Sequence, residues 1–509
     1  MSDTTTTNTA GSGGPQAEPA GAAGNPAAAG AALAFLVLAD LLAYGTGYGL
    51  NLVLLCLTLA GGVAALRSRA ISAQRPPLAG LAALLLVLPL LEAASWQALT
   101  VAVLGLAEFV LAVSGNLPAR LEAVWSALGR FFLAAPFRLL SDTGWMLAGV
   151  ARRRLGHALL RQILIWIVPL ACAGVFLILF VAANPLLESA LDAVDPFAFL
   201  DSLDPVRPFW WLLVAAMAWP FLVPVLLPER AAAVPVAPTE PPLPGESLLF
   251  GRAAILRSLL LFNGLFAVQS LSDLLFLWIG QALPEGMSYA SYAHRGAYPL
   301  VATALLAAVF VLAAMRPGGP GEASPLIRRL VYLWIGQNVL LVISSMRRLD
   351  VYVEIYSLTE LRIAAGIWMG LVALGLVLIL LRIALKRSNA WLVSANLLAL
   401  AATLAACACV DFGAIISRFN VEHSRQWGGE GMALDPNYLR ELGPSSIPAV
   451  DLFLSDPGRG EADLRQALQD LRGELVARHQ QSCGDWRCWT FRDWRLAQYL
   501  SSASPVQAP

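Results

Sequence analysis

Stretches of about twenty mostly apolar residues recur along this chain, and a helix of that length is what crosses the hydrocarbon of a bilayer. They fall near 30–45, 49–66, 77–94, 96–115, 162–184, 208–227, 254–280, 296–315, 327–345, 360–381 and 390–411. Composition agrees, because apolar residues make up 58% of the 509 and charged ones 13%, against about half and about a quarter in soluble domains. The chain reads as all-α, a polytopic transmembrane helix bundle of about eleven spans with the lipid bilayer as its first partner. One ambiguity lies at Tyr-Gly-Thr-Gly-Tyr-Gly, residues 44–49. It reads either as a tight turn between two spans or as a flexible point in one long tilted helix, which would give ten spans and move the N-terminus to the other side.

Basic residues orient such a bundle, because short cytoplasmic loops retain positive charge. With the N-terminus inside, the inner loops and helix ends collect Arg67, Arg69, Arg75, Arg120, Arg130, Arg138, Arg152–Arg154, Arg161, Arg230, Arg252, Arg257, Arg316, Arg328, Arg329, Arg382, Lys386 and Arg387. The outer loops hold only Arg207, Arg295, Arg347, Arg348 and Arg362. That orientation is N-in and C-out, in a bacterial cytoplasmic (inner) membrane, and the near-exclusive use of arginine over lysine suggests a bacterial gene of high GC content. Net charge is zero, so bulk basicity offers no case for nucleic-acid binding.

Between these spans the chain divides by composition. Residues 1–29 form a small, polar, Gly/Pro-bearing tail that reads as disordered, and it lacks the basic n-region of a signal peptide. A front six-span region covers 30–227, and within it 118–160 reads as a cytoplasmic amphipathic segment. There Leu121, Val124, Trp125, Leu128, Phe131 and Phe132 recur at helical spacing, to lie on the inner surface or to pack on the spans. A Pro-rich cytoplasmic linker follows at 228–247, then a back five-span region at 248–411. Residues 412–509 read as a small helical extracytoplasmic domain, with Leu464, Leu468, Leu471 and Leu475 on one helix face and Tyr438 and Leu439 in a helix begun at Asp-Pro-Asn. Cys483 and Cys488 are a close pair in this outward tail and read as a disulfide in an oxidising compartment.

The polar residues that a bilayer makes costly concentrate in the back half. Ser344–Arg362, SSMRRLDVYVEIYSLTELR, sets Arg347, Arg348, Asp350, Glu354 and Arg362 beside Tyr352 and Tyr356 between two apolar runs. On a continued helix Arg347, Asp350 and Glu354 share a face, whereas on a strand Tyr352, Glu354 and Tyr356 do. Thr359 is placed to cap the next helix, with Glu360 in its first turn. A second outer cluster holds Tyr289, Tyr292 and Arg295. Within the spans lie Asn263, Gln269, Asp273 and Asn338; Asp273 requires a partner, for which Arg295 and Arg347 are in reach. We expect these groups to form an outer polar or ligand site covered by the tail. No nucleophile, phosphate-loop, metal or nucleotide motif is present, so no metal or cofactor is expected; catalytic residues stay undetermined, Asp350 or Glu354 being the base if the protein is a membrane enzyme.

The segments LLFNGLFAVQ, SYASYAHRG, SSMRRLDVYVEIYSLTELR, SRFNVEH and LDPNYLRELGPSSIPAV, in that order over about 247–509, resemble a bacterial membrane family known as domain of unknown function 4173, related to 4153. The resemblance implies that Asn263, Gln269, Tyr289, Tyr292, Arg295, Arg348, Tyr352, Tyr356, Thr359, Arg362 and Asn420 stand at recurrent family positions. Ser291, His294 and Ser357 depart from it, the last standing where glycine is usual. The family brings no established activity. The functional expectation is therefore an envelope-associated protein of undetermined, more plausibly non-catalytic, role. A transporter or channel for a small solute, or a membrane enzyme acting on a lipid-linked envelope substrate, are the alternatives, and envelope proteins or lipid-linked molecules the possible partners.

Overall fold

The computed structural model describes residues 26–67, 86–118, 120–152, 206–226, 252–279, 324–429, 431–482 and 484–502, with isolated positions at 169, 204, 303, 306 and 310. Among them the structure is helical throughout, without a strand. Seven helices are long and apolar enough to cross a membrane: α1 Pro26–Ala43, α2 Leu50–Arg67, α3 Trp96–Val113, α6 Arg252–Asp273, α7 Pro325–Tyr356, α8 Glu360–Ala384 and α9 Asn389–Cys409. Between them lie α4 Leu121–Arg152 and the shorter apolar α5 Val206–Leu222. Eleven spans were expected. The runs at 162–184 and 296–315 lie almost wholly outside the described residues, and 77–94 is described only as a short helix at 86–92.

The turn at 44–49 separates two helices, and Asn51 explains why it is tight. Its side chain is fully buried, accepts from the Gly49 amide at 2.8 Å and donates to the Leu42 and Gly47 carbonyls at 3.1 and 2.8 Å. Those bonds hold the chain in a reversal that no continuous helix could follow. Elsewhere the boundaries follow side-chain caps that satisfy otherwise orphaned amides. Ser95 accepts from Ala98, Ser388 from Trp391 and Asp411 from Ala414.

Two apolar cores stand side by side. The front one packs α2, α3, α4 and α5 through Val63, Leu106, Val110, Leu111, Phe131 and Leu222. The back one packs α6, α7 and α8 through Leu259, Ile327, Val331, Ile335 and Leu376. α9 joins them, since Ala408 lies in a cluster with Val53, Ala98 and Ala102. α3 is the most enclosed span, with half of its apolar window buried. In α4, Ala127, Leu128, Phe131 and Ala134 form a buried stripe, and Phe131 meets Phe221 edge-on at 5.3 Å. The first half of α4 is thus packed against other helices.

The tail forms a third core. It comprises α10 Phe412–Glu422, α11 Pro436–Leu442, α12 Ile447–Leu454, α13 Ala462–Ser482 and α14 Phe491–Ser502. Leu468, Leu471 and Leu475 of the expected stripe are fully buried against Leu439, Ile447, Val450 and Phe453, with Leu464 at the edge. This domain touches both halves of the bundle. Leu50 donates to the Trp489 carbonyl at 2.9 Å, Arg487 reaches the Leu41 carbonyl at 2.8 Å, and Arg495 pairs with Glu92. Gly49 permits that approach, because a Cβ there would stand 2.3 Å from the Cys488 carbonyl oxygen.

The expected Cys483–Cys488 disulfide is not found. Cys488 is a free thiol whose sulfur would lie 3.0 Å from a Cβ at Gly47, so it is turned toward the α1–α2 reversal. Cys483 lies outside the described residues.

Candidate functional site

The motif at 344–362 folds as the upper part of α7, a three-residue loop and the first turn of α8. The helical alternative holds, and α7 runs to Tyr356, eleven residues past the apolar run that announced it. Thirty-two residues at about 1.5 Å each make α7 longer than the roughly 30 Å of hydrocarbon.

Helical geometry sends the motif's charges in different directions. Arg348 turns inward and pairs with Asp273 of α6, both almost wholly buried at 4% and 1% side-chain exposure. Gln269, one turn earlier on α6, donates to the same carboxylate at 2.9 Å. Asp273 thus has an arginine partner, as its burial demanded, and that arginine is Arg348, whereas Arg295 lies outside the described residues. Arg347 faces outward and pairs with Asp350 on the helix surface. Glu354 is exposed.

Two other amides of these helices, Asn263 and Gln337, join α6 to α7. Asn263 donates to the Leu259 carbonyl at 2.7 Å and across to Leu330 of α7 at 3.2 Å, and Gln337 donates back to the Asn263 carbonyl at 3.3 Å. Asn338, fully buried, bonds the Trp334 carbonyl of its own helix at 2.8 Å. Phe262, Phe266 and Phe310 close around Trp334 at ring separations of 5.1 to 5.7 Å. The α6–α7 seam thus sets an aromatic cluster around Trp334 beside these buried amides.

Above the pair, the loop is held by groups distant in sequence. Arg362 donates to the Tyr356 carbonyl at 2.6 Å and to that of Ser357, satisfying the open end of α7, and lies 4.6 Å over the Tyr352 ring. Tyr352 stacks on Tyr356 at 4.7 Å. Asn420 of α10 grips Leu358 at two points, accepting its amide at 2.7 Å and donating to its carbonyl at 2.9 Å. Thr359 caps α8 as expected, and the Glu360 amide donates to the Tyr438 hydroxyl at 3.1 Å. Burial raises the pKa of that hydroxyl, the adjacent Glu360 amide opposing it. Ser357 adopts φ +70° and ψ 165°, a conformation native to glycine.

Between this loop and the tail is a cavity of about 270 Å³, lined by Tyr356, Ser357, Thr359, Asn420, Asp435, Tyr438 and the apolar Leu358, Met432, Ala433, Leu434 and Leu439. Hydroxyls, an amide and a carboxylate on an otherwise apolar wall form a surface for a small polar group on a partly apolar body. Arg348 belongs to the cluster with Asp273 and Arg362 to the one around the Tyr356 and Ser357 carbonyls. Tyr289, Tyr292 and Arg295 lie outside the described residues.

A second polar cluster, at the upper ends of α1 and α5, went unnoticed in the sequence. Asp40 accepts from Arg207 at 2.9 Å and from the Trp211 indole at 2.8 Å, while Tyr44 bonds Asp204 beneath the Arg207 guanidinium. That hydrogen bond from Tyr44 holds the Asp204 carboxyl below its usual range. The signal was available: one aspartate in an apolar run, and one arginine in an acidic loop.

Comparison with known proteins places the chain by family. The family described as a domain of unknown function, DUF4153, matches residues 79–452. The match begins within the front half, earlier than the motifs suggested, and ends in α12. No curated protein and no solved structure matches the chain.

Proposed function

The chain belongs to the DUF4153 family, and from that membership we propose a multi-pass protein of the bacterial inner membrane that holds a small polar or lipid-linked envelope ligand at its outer face without transforming it. The motifs at 288–296 and 344–362 further ally it with the related family 4173. In this reading the N-terminus is cytoplasmic and the tail extracytoplasmic. The placement of basic residues supports that orientation: Arg67, Arg382, Lys386 and Arg387 all lie at the bundle end opposite the tail.

The observation that carries the ligand is the cavity between the 356–359 loop and the 432–439 segment. Its walls come from two elements that Asn420 and Tyr438 bind together, so an occupant would sense both. Among the described residues no group of His, Cys, Asp and Glu could hold a metal. The test is native mass spectrometry of protein supplied with total envelope lipid extract, beside an Ala433→Phe variant that fills the cavity. A bound mass present in the wild type and absent in the variant is expected; no bound mass in either, or equal retention in both, refutes the site. Single cysteines at Ser357, Ser455 and Ser388 in a cysteine-free background test the orientation. Labelling of the first two but not the third by an impermeant reagent in intact cells is expected.

A carrier is the second reading, favoured by the Arg348–Asp273 pair, since buried ionisable residues in spans often serve transport. The aromatic closure around Trp334 weighs against a continuous polar path. Proton uptake by proteoliposomes that is abolished by Asp273→Asn would reverse that preference.

A further inference from the structure

Three aromatic residues of the tail, Trp486, Phe491 and Trp494, stand outside its own core. On α14, Leu496, Tyr499 and Leu500 face the tail interior. At about 100° per residue, Phe491 and Trp494 lie on the other side. They stack on each other at 5.3 Å yet remain 40% and 44% exposed, and Trp486 nearby is 60% exposed. A soluble domain gains nothing by leaving three large rings exposed when a single face of α14 already completes its packing.

Their height on the molecule identifies what they meet. Arg487 bonds the Leu41 carbonyl in the last turn of α1, Trp489 accepts from Leu50 in the first turn of α2, and Arg495 pairs with Glu92 just before α3. All three tethers are at the ends of membrane-spanning helices, where hydrocarbon gives way to headgroups. At that same level Trp96, the first residue of α3, is 68% exposed and Tyr48, in the α1–α2 turn, is 59% exposed. Indole rings favour this zone, with an apolar body for the acyl region and an N–H for water or phosphate. The guanidinium of Arg495 lies 5.0 Å over the Phe491 ring, adding a cation where headgroup phosphates would be.

We propose that residues 486–498 lie in the headgroup region of the bilayer, with Trp486, Phe491 and Trp494 inserted as an interfacial foot, so that the tail rests on the membrane surface at one edge. The proposal is independent of the ligand cavity, which is lined by other residues.

Spin labels in proteoliposomes of phosphatidylethanolamine and phosphatidylglycerol test it. Cysteines at Trp486, Trp494 and Gln498 report the foot, the last sparing every aromatic ring; Ser455 and Asp470 report the remote tail, and Leu41 the lipid-facing surface of α1. Labels on the foot are expected to collide with dissolved oxygen more than with a water-soluble nickel chelate, as at Leu41, and those at 455 and 470 the reverse. If Gln498 and both tryptophan sites behave like Ser455, the foot stands in water and the proposal fails. If the foot labels instead broaden one another with rising protein density, a second copy covers this face, which also overturns it.

Discussion

The molecule contains the same ion pair in two settings. Arg348 meets Asp273 between spans with 4% and 1% side-chain exposure, and Arg472 meets Asp451 within the tail with 23% and 10%. In the tail, Tyr499 adds a hydroxyl at 3.1 Å to Asp451 and water reaches the guanidinium. In the bundle, Gln269 adds an amide at 2.9 Å, but the surroundings are hydrocarbon and aromatic rings. Breaking a pair costs more where the abandoned charge finds less solvent. The pair in the spans therefore acts as a lock on helix register, and the one in the tail as an ordinary brace between α12 and α13.

Arg348→Leu is expected to have the largest effect, about 3–5 kcal/mol by taking the Arg348 guanidinium away from the buried Asp273 carboxylate, read as loss of the folded peak in size-exclusion chromatography in detergent. Adding Asp273→Leu should recover most of it; failure to recover would break the comparison by giving the pair a role beyond neutrality. Asn420→Ala removes both bonds to Leu358 and should cost about 2–3 kcal/mol, visible as faster proteolysis between 356 and 360. Arg472→Met, in the wetter setting, should cost about 2 kcal/mol; a loss as large as that of Arg348→Leu would erase the distinction between the two environments. Ser357→Gly relieves the left-handed backbone and should raise stability by about 1 kcal/mol, a small increase in melting temperature. The smallest effect is a pH dependence. Burial, with the Asp451 charge behind it, pushes the Tyr499 hydroxyl from 10.0 up to about 12. A raised value in the folded state means its contribution is complete below pH 10 and fades as pH climbs toward 12. Tyr499→Phe should flatten the alkaline melting curve of the tail.

The legible parts were those written locally. The Thr359 cap, the helix begun at Asp435, the leucine stripe of α13 and the need of Asp273 for a cation all follow from residues within a few turns. What stayed hidden was the choice among partners. Arg347 and Arg348 are adjacent in sequence but about 100° apart on a helix, so the rotation of α7 against α6 selects one for the interior, and that rotation is set by packing at Leu259, Val331 and Ile335. The grip of Asn420 on Leu358 spans 62 residues, a distance over which periodicity says nothing. The closeness of Cys483 and Cys488 suggested a bridge, but Cys488 is turned toward a glycine-bearing reversal that lies far earlier in the chain.

The contact of Arg487 with Leu41 joins residues 446 apart. During synthesis the first two helices enter the membrane long before the tail reaches their upper edge, and until then Leu42 to Gly49 is held by Asn51 and, once α5 has followed, by the contact of Tyr44 with Asp204 and Arg207. Closing so wide a loop is a slow event. Maturation of the first hairpin is thus coupled to delivery of the tail, and a protein arrested before the tail arrives should present an unfinished outer rim to the cell's membrane proteases.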